Sequence, residues 1–147
     1  MTALEALREP KRIEKKMGEV MKQIEEARSR LMPGGIDYEL DRVQTTPRDR
    51  YAEVMGEIDD LERKLDDLAD QREKSRKRVL LLLDQVTDKD TRIIINLHDV
   101  LEFSMDDITE VVFMSRSKCY DLRSQGLQEI SLDGLDGEVW YNANGDL

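Results

Sequence analysis

The sequence predicts an all-α fold: long N-terminal coiled-coil helices, closing as a hairpin or oligomerising with a second copy, followed by a small three-helix helix-turn-helix bundle. Three observations carry this expectation. Apolar residues recur at alternating spacings of four and three along two long stretches, the signature of helical seams. Charged residues make up 38% of the 147-residue chain, while one Trp, four Tyr and two Phe supply little bulk for a large core. Past Val86 the pattern shortens into three segments, each preceded by a Ser or Thr suited to capping.

The first seam runs Ile13, Met17, Val20, Ile24, Ala27 and Leu31, with Glu, Lys, Arg and Gln filling most positions between. Met32-Pro33-Gly34-Gly35 ends it, because proline removes a backbone donor and constrains the residue before it, and two glycines favour the coil. A linker over residues 33–50 follows, within which Thr46-Pro47-Arg48-Asp49 announces the second helix: a threonine cap, a proline at the first helical position and an acid three residues past the cap. Its seam reads Val54, Ile58, Leu61, Leu65, Leu68, Arg72, Ser75, Val79, Leu82 and Val86. Over residues 51–86 that is roughly 54 Å of helix. Arg72 and Ser75 interrupt the apolar run, either to fix the register of a specific partner or because the seam diverges there.

Residues 72–78 hold five bases and one acid, the densest basic cluster in the chain. The plain expectation is a solvated helix face; the functional one makes Arg76, Lys77 and Arg78 phosphate contacts ahead of the C-terminal module.

Charge and composition exclude several classes of function. Net charge is −10, and residues 1–86 carry 18 bases and 20 acids against 5 and 13 in residues 87–147, so the C-terminal part holds −8 of it. A module relying on phosphate neutralisation alone would show the opposite bias. One cysteine, Cys119, precludes an internal disulfide, and with one histidine, His98, it leaves no ligand set for a Cys/His zinc site within one chain. No metal, cofactor or catalytic residue is expected, since no carboxylate pair stands out from the many helix-surface acids, and the chain is not read as an enzyme. The longest apolar run, residues 79–83, is far below membrane-span length, and the N-terminus lacks the apolar stretch of a signal peptide, so a cytoplasmic protein without membrane contact is expected.

In the C-terminal module, residues 87–131, Thr87 is expected to cap a helix over 88–101, Ser104 one over 105–112 and Ser115 one over 116–130. Acids Asp88, Asp90, Asp106 and Asp107 fall in opening turns, where the helix dipole favours them. The short interval between the second and third helices is that of a helix-turn-helix.

Residues 97–115, then Lys118-Cys119 and Gln125-Gly126-Leu127, resemble region 4 of sigma-70-type factors; the matches in kind are Leu97, Ser104, Asp107, Ile108, Val112, Ser115 and Leu127. With the N-terminal heptads and Val43-Gln44-Thr45-Thr46-Pro47, the chain is similar to phage and prophage proteins of the ArpU type. That resemblance implies a regulator of late transcription, acting in a bacterial host cell on double-stranded DNA and possible RNA polymerase contacts. Three departures bear on the chemistry. Phe113 stands where the family has the turn glycine and must accept a left-handed backbone or change the turn. His98-Asp99 replace Arg-Tyr, and Thr109 replaces alanine, tolerable if its hydroxyl bonds back to the helix.

On the third helix, Cys119, Leu122, Gly126 and Ile130 recur at helical spacing and face the core, leaving Arg116, Ser117, Lys118, Tyr120, Asp121, Arg123 and Ser124 at or near the outer face. In the DNA-binding expectation Arg116, Ser117 and Lys118 reach base edges, Arg123, Lys89 and Arg92 hold phosphates, and Asp121 accepts from a cytosine amino group. In the plain one these are solvated residues on a small bundle. Residues 104–130 carry three bases against five acids, so affinity must come from a homo-oligomer that doubles the contacts or from a polymerase partner. His98 and Cys119 read as ordinary helix and core residues rather than a pH switch and a reactive thiol. Residues 132–147 form an acidic tail, expected to be flexible unless Trp140 docks, and able to compete for basic residues of the DNA-binding helix. The rival functions are a protein-interaction module binding RNA polymerase or another protein with little direct DNA contact, and a phage structural or assembly protein.

Overall fold

A computed structural model describes residues 1–32 and 47–132, and among them every regular element is helical. The elements are α1 (Ala3–Ser29), α2 (Pro47–Leu83), α3 (Lys89–Ile95) running on into a π-helical turn (Asn96–Val100), α4 (Met105–Val112) and α5 (Arg116–Glu129). None of these helices is long and apolar enough to cross a membrane. The Thr46 cap, most of the expected linker and residues 133–147 lie outside the described residues. Pro47 is the first residue of α2, the position its fixed φ and missing N–H predict, and the helix thereby takes up the last residues of the expected linker.

The chain divides into two units, and not at Val86: one is Glu14–Asp70, the other joins Met1–Ile13 to the described residues from Gln71 onward. In the first unit, Met17, Val20, Ile24 and Ala27 of α1 are buried, as are Val54, Ile58 and Leu68 of α2. Arg28 reaches Glu62 at 3.3 Å and Arg30 reaches Glu57 at 2.8 Å, so the end of α1 lies beside the beginning of α2. The expected seams therefore close on each other as an antiparallel hairpin within one chain. These exposed ion pairs add little energy; the buried apolar stripe holds the unit.

In the second unit the start of α1 is anchored by a reciprocal cap, Thr2 accepting from the Glu5 amide and Glu5 from the Thr2 amide, each at 3.1 Å. Ala6 and Leu7 then enter a core with Val79, Leu82, Leu83, Val86, Ile95, Val100 and Ile130. Ser75 stays buried, its hydroxyl donating to the Arg72 carbonyl at 2.7 Å, so at Ser75 the polar position is satisfied locally and the buried face continues. A smaller core of Ile94, Met105, Ile108 and Cys119, flanked by Leu97, Val112, Met114 and Leu122, joins α3, α4 and α5.

Candidate nucleic-acid interface

Two serines set the helix-turn-helix. Ser104 accepts from the Asp107 amide and Ser115 from the Lys118 amide, both at 3.2 Å, so α4 and α5 start where their caps dictate. Between them stand only Phe113, Met114 and Ser115. Phe113 accepts the left-handed conformation, φ 56° and ψ 42°, and its amide still donates to the Thr109 carbonyl at 3.0 Å. Its ring is 91% exposed, so the side chain gains nothing from burial to offset that backbone. Thr109 bonds back as its position requires, its hydroxyl donating to the Asp106 carbonyl at 2.6 Å.

The cap of α3 differs from expectation. Asp88, not Thr87, accepts from the Thr91 amide at 3.0 Å and from the Thr91 hydroxyl at 2.7 Å. Those bonds, the hydroxyl's first, hold the Asp88 carboxyl below its ordinary range. The Thr87 amide is recruited instead by Glu129 of α5 at 3.1 Å. The expected helix over 88–101 is α-helical only to Ile95; the π turn follows, closed by Leu101 N–H to Asn96 O at 3.0 Å, and Glu102 then turns the chain with φ 61°.

α5 buries Cys119 and Gly126 as the helical spacing predicts, with Ile130 buried just past its end. A methyl group at Gly126 would collide with Thr91 Cγ2 and Ile95 Cδ1, so α3 and α5 approach as closely as a glycine permits. Arg116, Ser117, Lys118, Tyr120, Asp121 and Ser124 are exposed along the other side. The Arg116 guanidinium lies over the Tyr120 ring at 5.8 Å and reaches Asp106 at 3.4 Å, and Tyr120 meets the edge of His98 at 6.4 Å. His98 is fixed through Nδ1, 3.0 Å from the Phe103 carbonyl. Lys118 borders a cleft with Asp88, Asp90 and Glu129, an acidic neighbourhood for a lysine expected to reach base edges.

Arg123 occupies a different place from the outer face expected of it. It donates Nε to Asp99 Oδ2 at 2.8 Å and Nη2 to Asp99 Oδ1 at 2.7 Å, a two-bond clasp on a carboxylate with no exposed surface. The clasp raises the guanidinium above its ordinary value, hydrogen bonding first, against burial. Arg8 of α1 approaches the same carboxylate at 3.6 Å. In the sequence Asp99 stands out only as a departure from the family pattern, although it lies four residues past buried Ile95, where an acid on an apolar stripe calls for a base.

The remaining basic candidates lie elsewhere. Lys89 and Arg92 line a cleft with Leu80, Leu83, Asp84, Ile93 and Asn96, away from the α3 face that carries Asp88, Asp90 and Thr91 toward α5. Arg76 and Lys77 are exposed on α2, and Arg78 is half-buried. Compared with known proteins, the chain matches no family model, no curated protein and no solved structure.

Proposed function

We propose that the chain is a DNA-binding transcription regulator of phage or prophage type, which presents the first turns of α5 to the major groove. The observation that carries the reading is the short turn between two serine-capped helices, which leaves Arg116, Ser117, Lys118, Tyr120, Asp121 and Ser124 exposed on one helix whose opposite side is buried. In this reading Arg116 and Lys118 reach base edges or phosphates, and Arg123 is a strut that sets the angle of α5 rather than a contact. Self-association belongs to it too, since two copies would double a small set of contacts.

Fluorescence anisotropy with a DNA fragment from upstream of the protein's own operon, against a scrambled one and over a salt series, tests the reading; mass is measured in parallel. Selective binding that weakens with salt and is lost in Arg116→Ala/Lys118→Ala supports it, the slope bounding the phosphate contacts. Equal affinity for both fragments, or selectivity untouched by the double substitution, overturns the assignment of α5.

A second reading has its own observation. Arg116 and Arg123 are both engaged by acids, while Val111 and Phe113 are 54% and 91% exposed beside the turn. A surface of that kind suits a protein such as RNA polymerase better than a phosphate backbone. Polymerase capture that needs Phe113 and tolerates the loss of Arg116 and Lys118 would select it.

A further inference from the structure

The cleft between the end of α2 and α3 has about 360 Å³ of space, with Leu80, Leu83 and Ile93 as apolar lining and Lys89, Arg92, Asn96 and Asp84 around it. Leu80 is 64% exposed, between buried Val79 and half-buried Leu81. Helical spacing sets Arg76 and Lys77 four and three residues before it on the same side of α2, with Glu73 one turn further back. The Nε of Arg92 is buried without a hydrogen-bond acceptor, and Lys89 forms no ion pair among the described residues. In a chain of net charge −10, this is an apolar recess bordered by two cations against one acid. A bare phosphate backbone would leave its apolar lining uncovered; an acidic peptide with a bulky apolar anchor would cover both features.

The chain itself carries a peptide of that chemistry. Ile130 is buried, and Leu132 packs on the core cluster that contains Leu82 and Leu83. Gln85 clasps Ser131 from both sides, accepting from its amide at 3.0 Å and donating to its carbonyl at 2.9 Å. The chain is thus held at Gln85, two residues past Leu83, where residues 133–147, outside the described residues, begin. Their sequence holds Asp133, Asp136, Glu138 and Asp146, no base, and one apolar cluster, Val139-Trp140-Tyr141. From Leu132 to Trp140 an extended chain reaches up to about 26 Å, and the recess shares Leu83 with the cluster on which Leu132 packs.

We propose that Val139-Trp140-Tyr141 docks on Leu80, Leu83 and Ile93 of its own chain, with Asp136 and Glu138 facing Lys89 and Arg92. Tethering supplies an effective concentration of roughly millimolar, so individually weak contacts suffice. The docked segment withholds Lys89 and Arg92 from any other anion.

The lone Trp140 reports on the proposal without a label. In the full chain its emission should be blue-shifted from that of the denatured chain, with acrylamide quenching several-fold weaker. Lys89→Glu/Arg92→Glu and, separately, Leu80→Glu should return both readings toward the denatured values while the helical melting transition is retained. Adding Asp136→Lys/Glu138→Lys to the first variant should restore the shift, a recovery that general loss of fold would not allow. Native Trp140 as quenchable as in denaturant overturns the proposal. So does a blue shift indifferent to both cleft variants, which would place the indole elsewhere, or one that fades on dilution, which would assign the cleft to the segment of a second copy.

Discussion

Asp99 and Arg123 lie 24 residues apart in sequence and meet through two hydrogen bonds of 2.8 and 2.7 Å, the carboxylate fully buried and the arginine side chain 19% exposed. The pair ties α5 to the π turn after α3. Removing one partner of such a pair strands the other charge in a low-dielectric site.

Arg123→Ala should accordingly lower the unfolding free energy by about 3 kcal/mol in urea titration, toward the low end for buried pairs because Arg8 also approaches the carboxylate. Replacing both residues with apolar ones of similar size, Asp99→Leu/Arg123→Met, should recover most of the loss. A double variant as unstable as Arg123→Ala would mean that Arg123 works through something other than Asp99.

Phe113 holds a left-handed backbone with its ring in solvent. Glycine adopts that conformation without the steric cost, although it adds entropy to the unfolded chain. Phe113→Gly should therefore raise stability by a net of about 0.5–1 kcal/mol. A lower melting temperature in the variant would show that the ring is held by a contact and not merely tolerated. If the exposed ring serves a partner, the same substitution would stabilise the chain and abolish the association.

The Asp88 cap gives a pH dependence with a definite sign. Its carboxyl is depressed by the Thr91 hydroxyl and amide, so the ionised cap stabilises the fold above the ordinary carboxylate range, and that gain is lost as pH falls through the depressed value. Thermal melts of Asp88→Ala and the parent chain should differ most near neutrality and converge in acid. A constant difference down to the acid limit would show that the charge of Asp88 is not what caps α3.

What the sequence disclosed was local, and what it hid was tertiary. Ser104 and Ser115 are legible as caps because the donor each serves is three residues away. Thr87 is the expected cap of α3, but the adjacent Asp88 is the stronger capping acceptor and takes the Thr91 amide, while the Thr87 amide finds a partner the sequence does not announce, Glu129, forty-two residues on. Arg123 looks solvent-facing by helical spacing, and only the fold brings a buried acid to it from the π turn, whose extra backbone spacing no residue pattern announces. The seams were legible from Ile13 onward, but Ala6 and Leu7 escaped notice because Pro10 lies between them and the first heptad, although α1 runs through it. Pro10, the eighth residue of α1, forfeits the hydrogen bond to the Ala6 carbonyl and crowds that oxygen, yet the helix continues past it.

That placement of Leu7 has a consequence for how the protein is made. Glu14–Asp70 is one unbroken stretch, so everything that unit needs has been translated before α3 is. The other unit draws Leu7 together with Ile130, nearly the first and the last buried residues of the described chain. During synthesis Leu7 can meet Val79, Leu82 and Leu83 early but must wait for Ile130, so that core is completed only after the last helix emerges.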